Sequence, residues 1–412
     1  MHPERLQKIL QQISQYLEEE VYPLERKYFH MGFEALLPEL RELREQVKEM
    51  GFWAPHLSIN HGGMGLSLLE FAQLSEVLGQ SPLGHYLFNC QAPDIGNMEV
   101  LIKYGSETQK QKFFQPLANG ISRSCFAMTE PQYSGSNPTR MGTTAVRDGT
   151  DYLINGRKWF TSGADGAAFA IAMVVTSPRT EKRHMQASQI IVPMDIPGLK
   201  VVRNISVMGE RGSDYASHSE IIFDNCRVPT SHLLGAEGAG FVISLERLIY
   251  GRIHHCMRWI GICERAFDLM CRRAISRKTS DKEVLADSDL IRTWIAECRI
   301  EINATRALVL SVADKIDRQG VYASQEDVSI IKVHTANVLQ KVLDHAIQLH
   351  GALGMTDDTP LAYWYRHERA AKIYDGPDEI HKKAIAKSSL RKYGFPARRK
   401  EAVATNAVEN GI

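Results

Sequence analysis

The sequence predicts an α+β protein assembled in the order helical, β, helical, and three changes of pattern along the chain carry that prediction. Up to about residue 122, apolar residues recur at intervals of three and four, the spacing of one helix face. From 123 to 237, short β-branched and aromatic runs alternate with turn dipeptides, as strands and hairpins require. From 238 to 396 long helical periodicity returns. These changes define three expected domains, 1–122, 123–237 and 238–396, followed by a polar, alanine-rich stretch, 397–412, expected to be a flexible tail.

In the first part Leu6, Leu10, Ile13 and Leu17 align on one side of an amphipathic helix. Two further periodic runs, LLPELRELREQVKEM and LSLLEFAQLSEVLGQ, flank a Gly-rich loop at NHGGMG. The middle part contains AVRDGTDYLINGRKWF, whose Asp-Gly and Asn-Gly pairs are hairpin signals, and then FAIAMVV, SQIIVPM, LKVV and SEIIF. An antiparallel β domain is expected there. In the last part CERAFDLMCRRAISRK, TWIAECRIEINATRALVLSVADKI and VSIIKVHTANVLQKVLDHAIQLHG are long enough to form a helical bundle.

Charge and composition exclude several functions. Across 412 residues, 49 Lys plus Arg meet 48 Asp plus Glu, a balance that offers no electrostatic footprint for nucleic acid. Seven cysteines include no C-x-x-C pair and are odd in number, which points to reduced core thiols rather than disulfides or a metal site. The longest apolar run, Gly166 to Val175, is well short of the roughly 20 residues of a membrane span. The N-terminal segment has neither an apolar h-region nor a transit-peptide composition, and Asn-Gly-Ile at the other end is no targeting or lipidation signal, so a cytoplasmic location is expected.

Several segments carry chemistry-bearing residues. FAMTEPQYSGSN, Phe126 to Asn137, supplies hydroxyls and main-chain N–H groups suited to a flat polar ring and a phosphate, or is an ordinary strand-to-loop transition. NGRKWFTSGA sets aromatics beside hydroxyls, which suits a stacked ring or a core. QLHGALG, read alone, is a helix C-cap and turn. In GRIHHCMRWIG, Arg252, His254, His255 and Arg258 form a polar cluster in which 252 shares a face with 255 and 254 with 258. Adjacent histidines diverge on a helix and no third ligand is evident, so no metal site is expected.

T-E-P followed by G-S, then N-G-x-K, MGERGSDYASHSEIIFDNCRVP, SRKTS, QLHGALG and YDGPDEIH, in this order, resemble the acyl-CoA dehydrogenases over roughly residues 10 to 395. GRIHHCMRWIG and the Asp-Gly-Pro-Asp-Glu signature are most similar to the branch of family members ten and eleven. The resemblance implies a helical N-domain, a central antiparallel β-barrel domain and a C-terminal four-helix bundle, assembled as a homodimer or homotetramer. It implies FAD held between domains and across a subunit interface, an acyl-CoA thioester substrate, a 2,3-enoyl-CoA product of the β-oxidation type, and electron-transferring flavoprotein as acceptor. No nucleic acid and no membrane span are expected.

Carried over by position, Phe126, Met128, Thr129 and Ser136 line the flavin on one side and Phe160, Thr161 and Ser162 on the other. Ser162 stands where a hydroxyl approaches flavin N5, and Trp159 and Phe160 compete as the stacking residue. Arg277 and Thr279 reach the FAD of the neighbouring subunit, and Gln348, Gly351 and Gly354 its adenosine diphosphate, with Pro377 and Glu379 also on the cofactor side. Ser136, Arg252, His255 and Gly376 face the substrate.

The base position departs from the family pattern, because Asp375 stands where Y-E-G-T has Glu. Proton abstraction from the α-carbon of a thioester requires a carboxylate, and hydrogen bonds to the thioester carbonyl must stabilise the enolate. Aspartate is one methylene shorter, and a misplacement of about 1 Å can cost about 100-fold in rate. Some relatives carry the base at the position of Gly251, which has no side chain, so Asp375 is the remaining candidate, its alternative being an N-cap for the following helix. The polar cluster suits an acyl chain bearing a 4-hydroxy, 4-phospho or similar group, or is satisfied at helix contacts. A flavin oxidase of the same fold, of nitroalkane or acyl-CoA oxidase type, is the nearest rival, and a DNA-binding member that is not a dehydrogenase is a more distant one.

Overall fold

Prolines in the first turn start three of the early helices, where the missing N–H costs nothing. The computed structural model describes residues 2–395; the expected tail at 397–412 lies outside the described residues. The first part comprises α1 (Pro3–Tyr16), α2 (Tyr22–Met31), α3 (Leu37–Glu49), α4 (Leu68–Leu78), α5 (Gly84–Leu87), α6 (Asp94–Tyr104), α7 (Glu107–Gln109) and α8 (Gln115–Ala118). Ser67 and Glu70 close a capping box at the start of α4. The periodicity of α1 is realised, with Leu6, Ile9, Ile13 and Tyr16 buried.

The strands are β1 (Ser124–Ala127), β2 (Thr144–Asp148), β3 (Asp151–Ser162), β4 (Phe169–Val175), β5 (Ala187–Pro193), β6 (Leu199–Asn204), β7 (His218–Pro229) and β8 (Leu233–Leu234). They form one sheet in the order β6-β7-β3-β2-β4-β5-β8, with β1 beside β4. The expected antiparallel β domain is present in the pairs β2–β3, β3–β7, β4–β5, β5–β8 and β6–β7, with two departures from a closed antiparallel barrel: β1 and β2 run parallel to β4, and the order ends at the separate edges β6 and β8. Turn dipeptides fix direction only between strands they join, and long connections leave the other pairs free. Asp148-Gly149 does turn the β2–β3 hairpin, with Gly149 at φ +62°. Asn155-Gly156 does not turn; it sits inside β3 at a bulge, where a Cβ on Gly156 would collide with Thr143.

After the sheet come α9 (Gly240–Ser276), α10 (Asp289–Gln319), α11 (Gln325–His350), α12 (Leu361–Glu368) and α13 (Asp378–Arg391). Helix α11 packs on α9, α10 and α13, a four-helix arrangement. One apolar core joins both helical parts, including Leu74 and Leu78 of α4, Ile253 and Ile260 of α9 and Leu339 of α11, while a second fills the sheet around Ile154, Ala170 and Phe223. Helices α4 and α9 touch backbone to backbone, because a Cβ on Gly79 would collide with the Arg258 carbonyl and one on Gly261 with the Glu76 carbonyl. That contact fixes the height of the His254–Arg258 turn against the N-terminal part. All seven cysteines are free thiols, and all but Cys271 are buried. Among the described residues no helix is long and apolar enough to cross a membrane, and no group of His, Cys, Asp or Glu could hold a metal ion.

Candidate active site

Residues 247, 251 and 255 are spaced four apart and form a stripe along one face of α9. The Asp375 carboxylate stands over its middle: Oδ2 lies 3.4 Å from where a Cβ would sit on Gly251, and His255 Nε2 lies 3.5 Å from the same oxygen. The carboxylate is brought there by a strained turn, with Asp375 at φ +54° and Gly376 at +97°. The Asp375 carbonyl accepts from Arg252 Nε at 2.9 Å and from His381 Nε2 at 3.1 Å. Lys332 Nζ, fully buried, donates to the Gly376 carbonyl at 2.8 Å and pairs with Asp378 at 3.0 Å. The main-chain N–H of Asp375 has no partner among the described residues. The N-cap position of α13 is Pro377, so Asp375 is not a helix cap.

Burial pushes the His255 imidazole down to about 4, against the opposing pull of Asp375, so it is neutral at pH 7. Its ring lies 4.8 Å from Tyr374 and is stacked 5.7 Å from Trp259. Behind these rings Arg258 makes a bidentate pair with Glu368, which also accepts from Trp259 Nε1 at 2.8 Å. Burial, the largest single influence, would raise the Glu368 carboxyl, but Arg258, with His367 and His255 adding to it, holds the group down at about 2. His254 turns the other way, to Glu99 at 3.1 Å and edge-on to Phe71. The expected polar cluster is therefore divided: Arg252 and His255 border Asp375, whereas His254 and Arg258 are satisfied elsewhere.

Along the sheet, the residues expected at a flavin come together in part. The bulge between Lys158 and Thr161 turns Phe160 to φ +48° and leaves it 45% exposed, edge-on to Trp159 at 5.0 Å. Trp159 Nε1 and Thr161 Oγ1 are buried without a hydrogen-bond partner, as donors kept for a bound polar ring would be. Thr129 accepts from the Trp159 main chain through its carbonyl at 2.9 Å, so the strand-end residues Met128 and Thr129 adjoin that edge. Ser162 Oγ pairs with His218 Nδ1 at 2.8 Å, Ser136 Oγ with Ser134 Oγ at 2.7 Å, and the Arg247 guanidinium lies 4.1 Å over the Phe126 ring. The unpartnered donors and the exposed aromatic fit the implied flavin. A cavity of about 370 Å³ lies outside this group, between Tyr28, Phe33, Glu210 and Tyr363.

Other expected residues lie apart. Arg277 is the C-cap of α9, 26 residues beyond Gly251 and so about 39 Å along the helix; Thr279 is exposed just after it. Gln348 is exposed at the end of α11, Gly351 is its C-cap at φ +63°, and a Cβ on buried Gly354 would crowd the Ile347 carbonyl. Pro377 and exposed Glu379 begin α13. Within one chain none of Arg277, Thr279, Gln348, Gly351 or Gly354 joins the Asp375 group. Lys332, His381, Arg247 and Glu368 were not anticipated. For Lys332 a signal existed, since it shares helical spacing with Val328, Thr335, Ala336 and Leu339, an ionisable residue on a mostly apolar stripe.

Comparison with known proteins adds a third kind of observation. The family models "Acyl-CoA dehydrogenase, N-terminal domain", "middle domain" and "C-terminal domain" match residues 3–121, 125–226 and 238–390. Rat acyl-CoA dehydrogenase family member 11 is 40% identical over 94% of this chain and 50% of its own length. Mouse family member 10 is 39% identical over 94% of this chain and 37% of its own. The chain thus spans half or less of the length of these curated relatives. A solved acyl-CoA dehydrogenase homologue from Mycobacterium abscessus is 38% identical, with a TM-score of 0.89 over 94% of this chain and 98% of that one. A glutaryl-CoA dehydrogenase from Mycobacterium smegmatis in complex with FADH2, 23% identical over 97% and 98% of the two chains, shares the fold with a TM-score of 0.80.

Proposed function

Because this chain belongs to the acyl-CoA dehydrogenase family, we propose that it oxidises an acyl-CoA thioester between Cα and Cβ to a 2,3-enoyl-CoA, with Asp375 as the base. The observation that carries this reading is the single carboxylate of Asp375 poised over the bare backbone of α9 at Gly251. A base needs an open path to the α-carbon, and Gly251 leaves one on the side from which other side chains would intrude. The free N–H of Asp375 is the donor for the thioester carbonyl, so that negative charge developing on that oxygen is stabilised as the α-proton leaves. FAD, the cofactor of this family, supplies the acceptor for the β-hydride when bound. Trp159 Nε1, Thr161 Oγ1 and the exposed Phe160 ring would hold it against the sheet, with Phe126, Met128, Thr129, Ser136 and Ser162 around them. Arg277, Thr279, Gln348, Gly351 and Gly354, too distant within one chain, would serve the cofactor of a neighbouring subunit in a homodimer or homotetramer. Electron-transferring flavoprotein is the acceptor of this reading.

Arg252 extends the proposal to substrate class. Its Nε is spent on the Asp375 carbonyl, and it makes no ion pair among the described residues, although burial presses on its charge. With neutral His255 one turn on, it borders Asp375 with donors suited to an oxygen substituent on the acyl chain, such as a 4-hydroxy or 4-phospho group. The test is anaerobic bleaching of the visible flavin band by straight, branched and 4-substituted acyl-CoAs, with Asp375→Asn in parallel. Bleaching that the variant loses supports the dehydrogenase, preference for 4-substituted chains supports the substrate class, and equal turnover of butyryl-CoA removes it. Rapid hydrogen peroxide formation in air would identify an oxidase instead.

A further inference from the structure

The turn that presents Asp375 is held by more than its own sequence. Two donors converge on the Asp375 carbonyl, Arg252 Nε from α9 and His381 Nε2 from α13, while Lys332 from α11 takes the next carbonyl, Gly376. Three helices thus grip two consecutive peptide groups in the left-handed region, with Asp375 at φ +54° and Gly376 at +97°. His381 is the member whose chemistry is most constrained. A carbonyl oxygen can only accept, so Nε2 carries the ring proton and Nδ1 is left as an acceptor 3.1 Å from Ser329 Oγ, whose single proton is shared with the Gln325 carbonyl, also at 3.1 Å. The imidazole is 4% exposed, and a Cβ on residue 376 would stand 2.9 Å from Nε2, so glycine there is what admits the ring. Burial, with Arg252 and Lys332 adding to it, holds the ring down to about 4 while the Asp375 carbonyl and carboxylate oppose, which keeps the neutral tautomer at working pH.

We infer that His381 is a positioning residue for proton abstraction: the relay Ser329 Oγ–H to His381 Nδ1, and His381 Nε2–H to the Asp375 carbonyl, sets the height of the short aspartate carboxylate over Gly251. The inference rests on Asp375 being the base. A glutamate could make up a small backbone displacement with its extra methylene; an aspartate cannot, so the backbone must be fixed from outside. A lost anchor therefore shows in the proton-transfer step rather than in binding.

The experiment follows exchange of the α-hydrogens of 3-thiaoctanoyl-CoA and of its short homologue 3-thiabutanoyl-CoA with deuterium oxide on the FAD-loaded enzyme, read by mass spectrometry. These probes have sulfur in place of the β-carbon and no hydride to give, so the readout is the base step alone. Flavin content, probe Kd and unfolding midpoint are measured alongside. His381→Leu is expected to slow exchange by about 100-fold, the scale of a 1 Å misplacement, with probe Kd changed less than about threefold. His381→Gln, whose amide N–H can still donate to the carbonyl, is expected to recover most of the rate. Exchange in His381→Leu at the wild-type rate, with Asp375→Asn silent, overturns the inference and leaves the base assignment standing. Exchange that persists in Asp375→Asn overturns the base assignment itself. Should His381→Leu fail to fold, Ser329→Ala decides: a fall of about fivefold or more supports the relay, and an unchanged rate overturns it.

Discussion

At the scale of single residues, the site depends on charges whose partners are already fixed. Glu368 is buried and is held at about 2 by Arg258 together with His367 and His255 against the push of burial, and Glu368 and Arg258 both contact the rings under His255. Replacing Glu368 with Gln strands the Arg258 guanidinium, and a loss of about 3–5 kcal/mol is expected from urea unfolding; a change under about 1 kcal/mol would mean the pair is not compensating as the geometry implies. Asp375→Asn is expected to abolish substrate-dependent bleaching while leaving flavin binding intact, because the carboxylate is placed against Gly251 and His255 of α9. Asp375 was a candidate from the sequence only through the resemblance, since it stands where Y-E-G-T has Glu, and the structure adds that its carboxylate faces Gly251. His381 was not: nothing in Asp-Glu-Ile-His says that its ring folds back onto a carbonyl six residues earlier. The division of the four polar residues of α9 was half legible, because helical spacing pairs 252 with 255 and 254 with 258 but cannot say which pair meets Asp375.

At the scale of elements, the crossing of α4 and α9 sets the height of the α9 face that meets Asp375. Gly261→Ala would force the two backbones apart, and a loss of about 1–3 kcal/mol is expected by thermal unfolding, the usual range for overpacking. If the variant unfolds at the wild-type midpoint, the crossing is softer than the contact implies. The helices themselves were plain in the sequence, because amphipathic spacing is a local property, and α1 buries the face its periodicity marks. The sheet was less plain. Its hairpin β2–β3 follows from Asp-Gly, whereas Asn155-Gly156 was a false turn whose glycine serves close approach to Thr143, and the parallel placement of β1 beside β4 is decided by contacts far apart in sequence.

At the scale of the whole molecule, pH should act through buried histidines. Burial pushes His56 down to about 3 and His218, His255 and His381 to about 4. Above about pH 6.5 these rings are neutral in both folded and unfolded chains and contribute nothing. Between about 6.5 and 4 the unfolded chain binds protons the folded one refuses, so stability falls with pH, by roughly 1.4 kcal/mol per unit for each such ring. Urea midpoints are expected to decline steadily from pH 6.5 to 5; a flat profile would show that the rings are protonated in the folded protein. The order helical, β, helical was readable from changes of periodicity and turn signals along the chain, but the joining of both helical parts into one core was not, since that depends on packing between distant segments. That division of the interior gives the seven reduced thiols a further use. Cys90 lies in the first helical part, Cys125 and Cys226 in the sheet, and Cys256, Cys263 and Cys298 in the bundle, all buried, with only Cys271 partly accessible. An aromatic disulfide reagent should therefore label one site quickly and the other six only as each region opens, and peptide mapping of that slow labelling would time the loosening of sheet and bundle separately, with no label engineered into the chain.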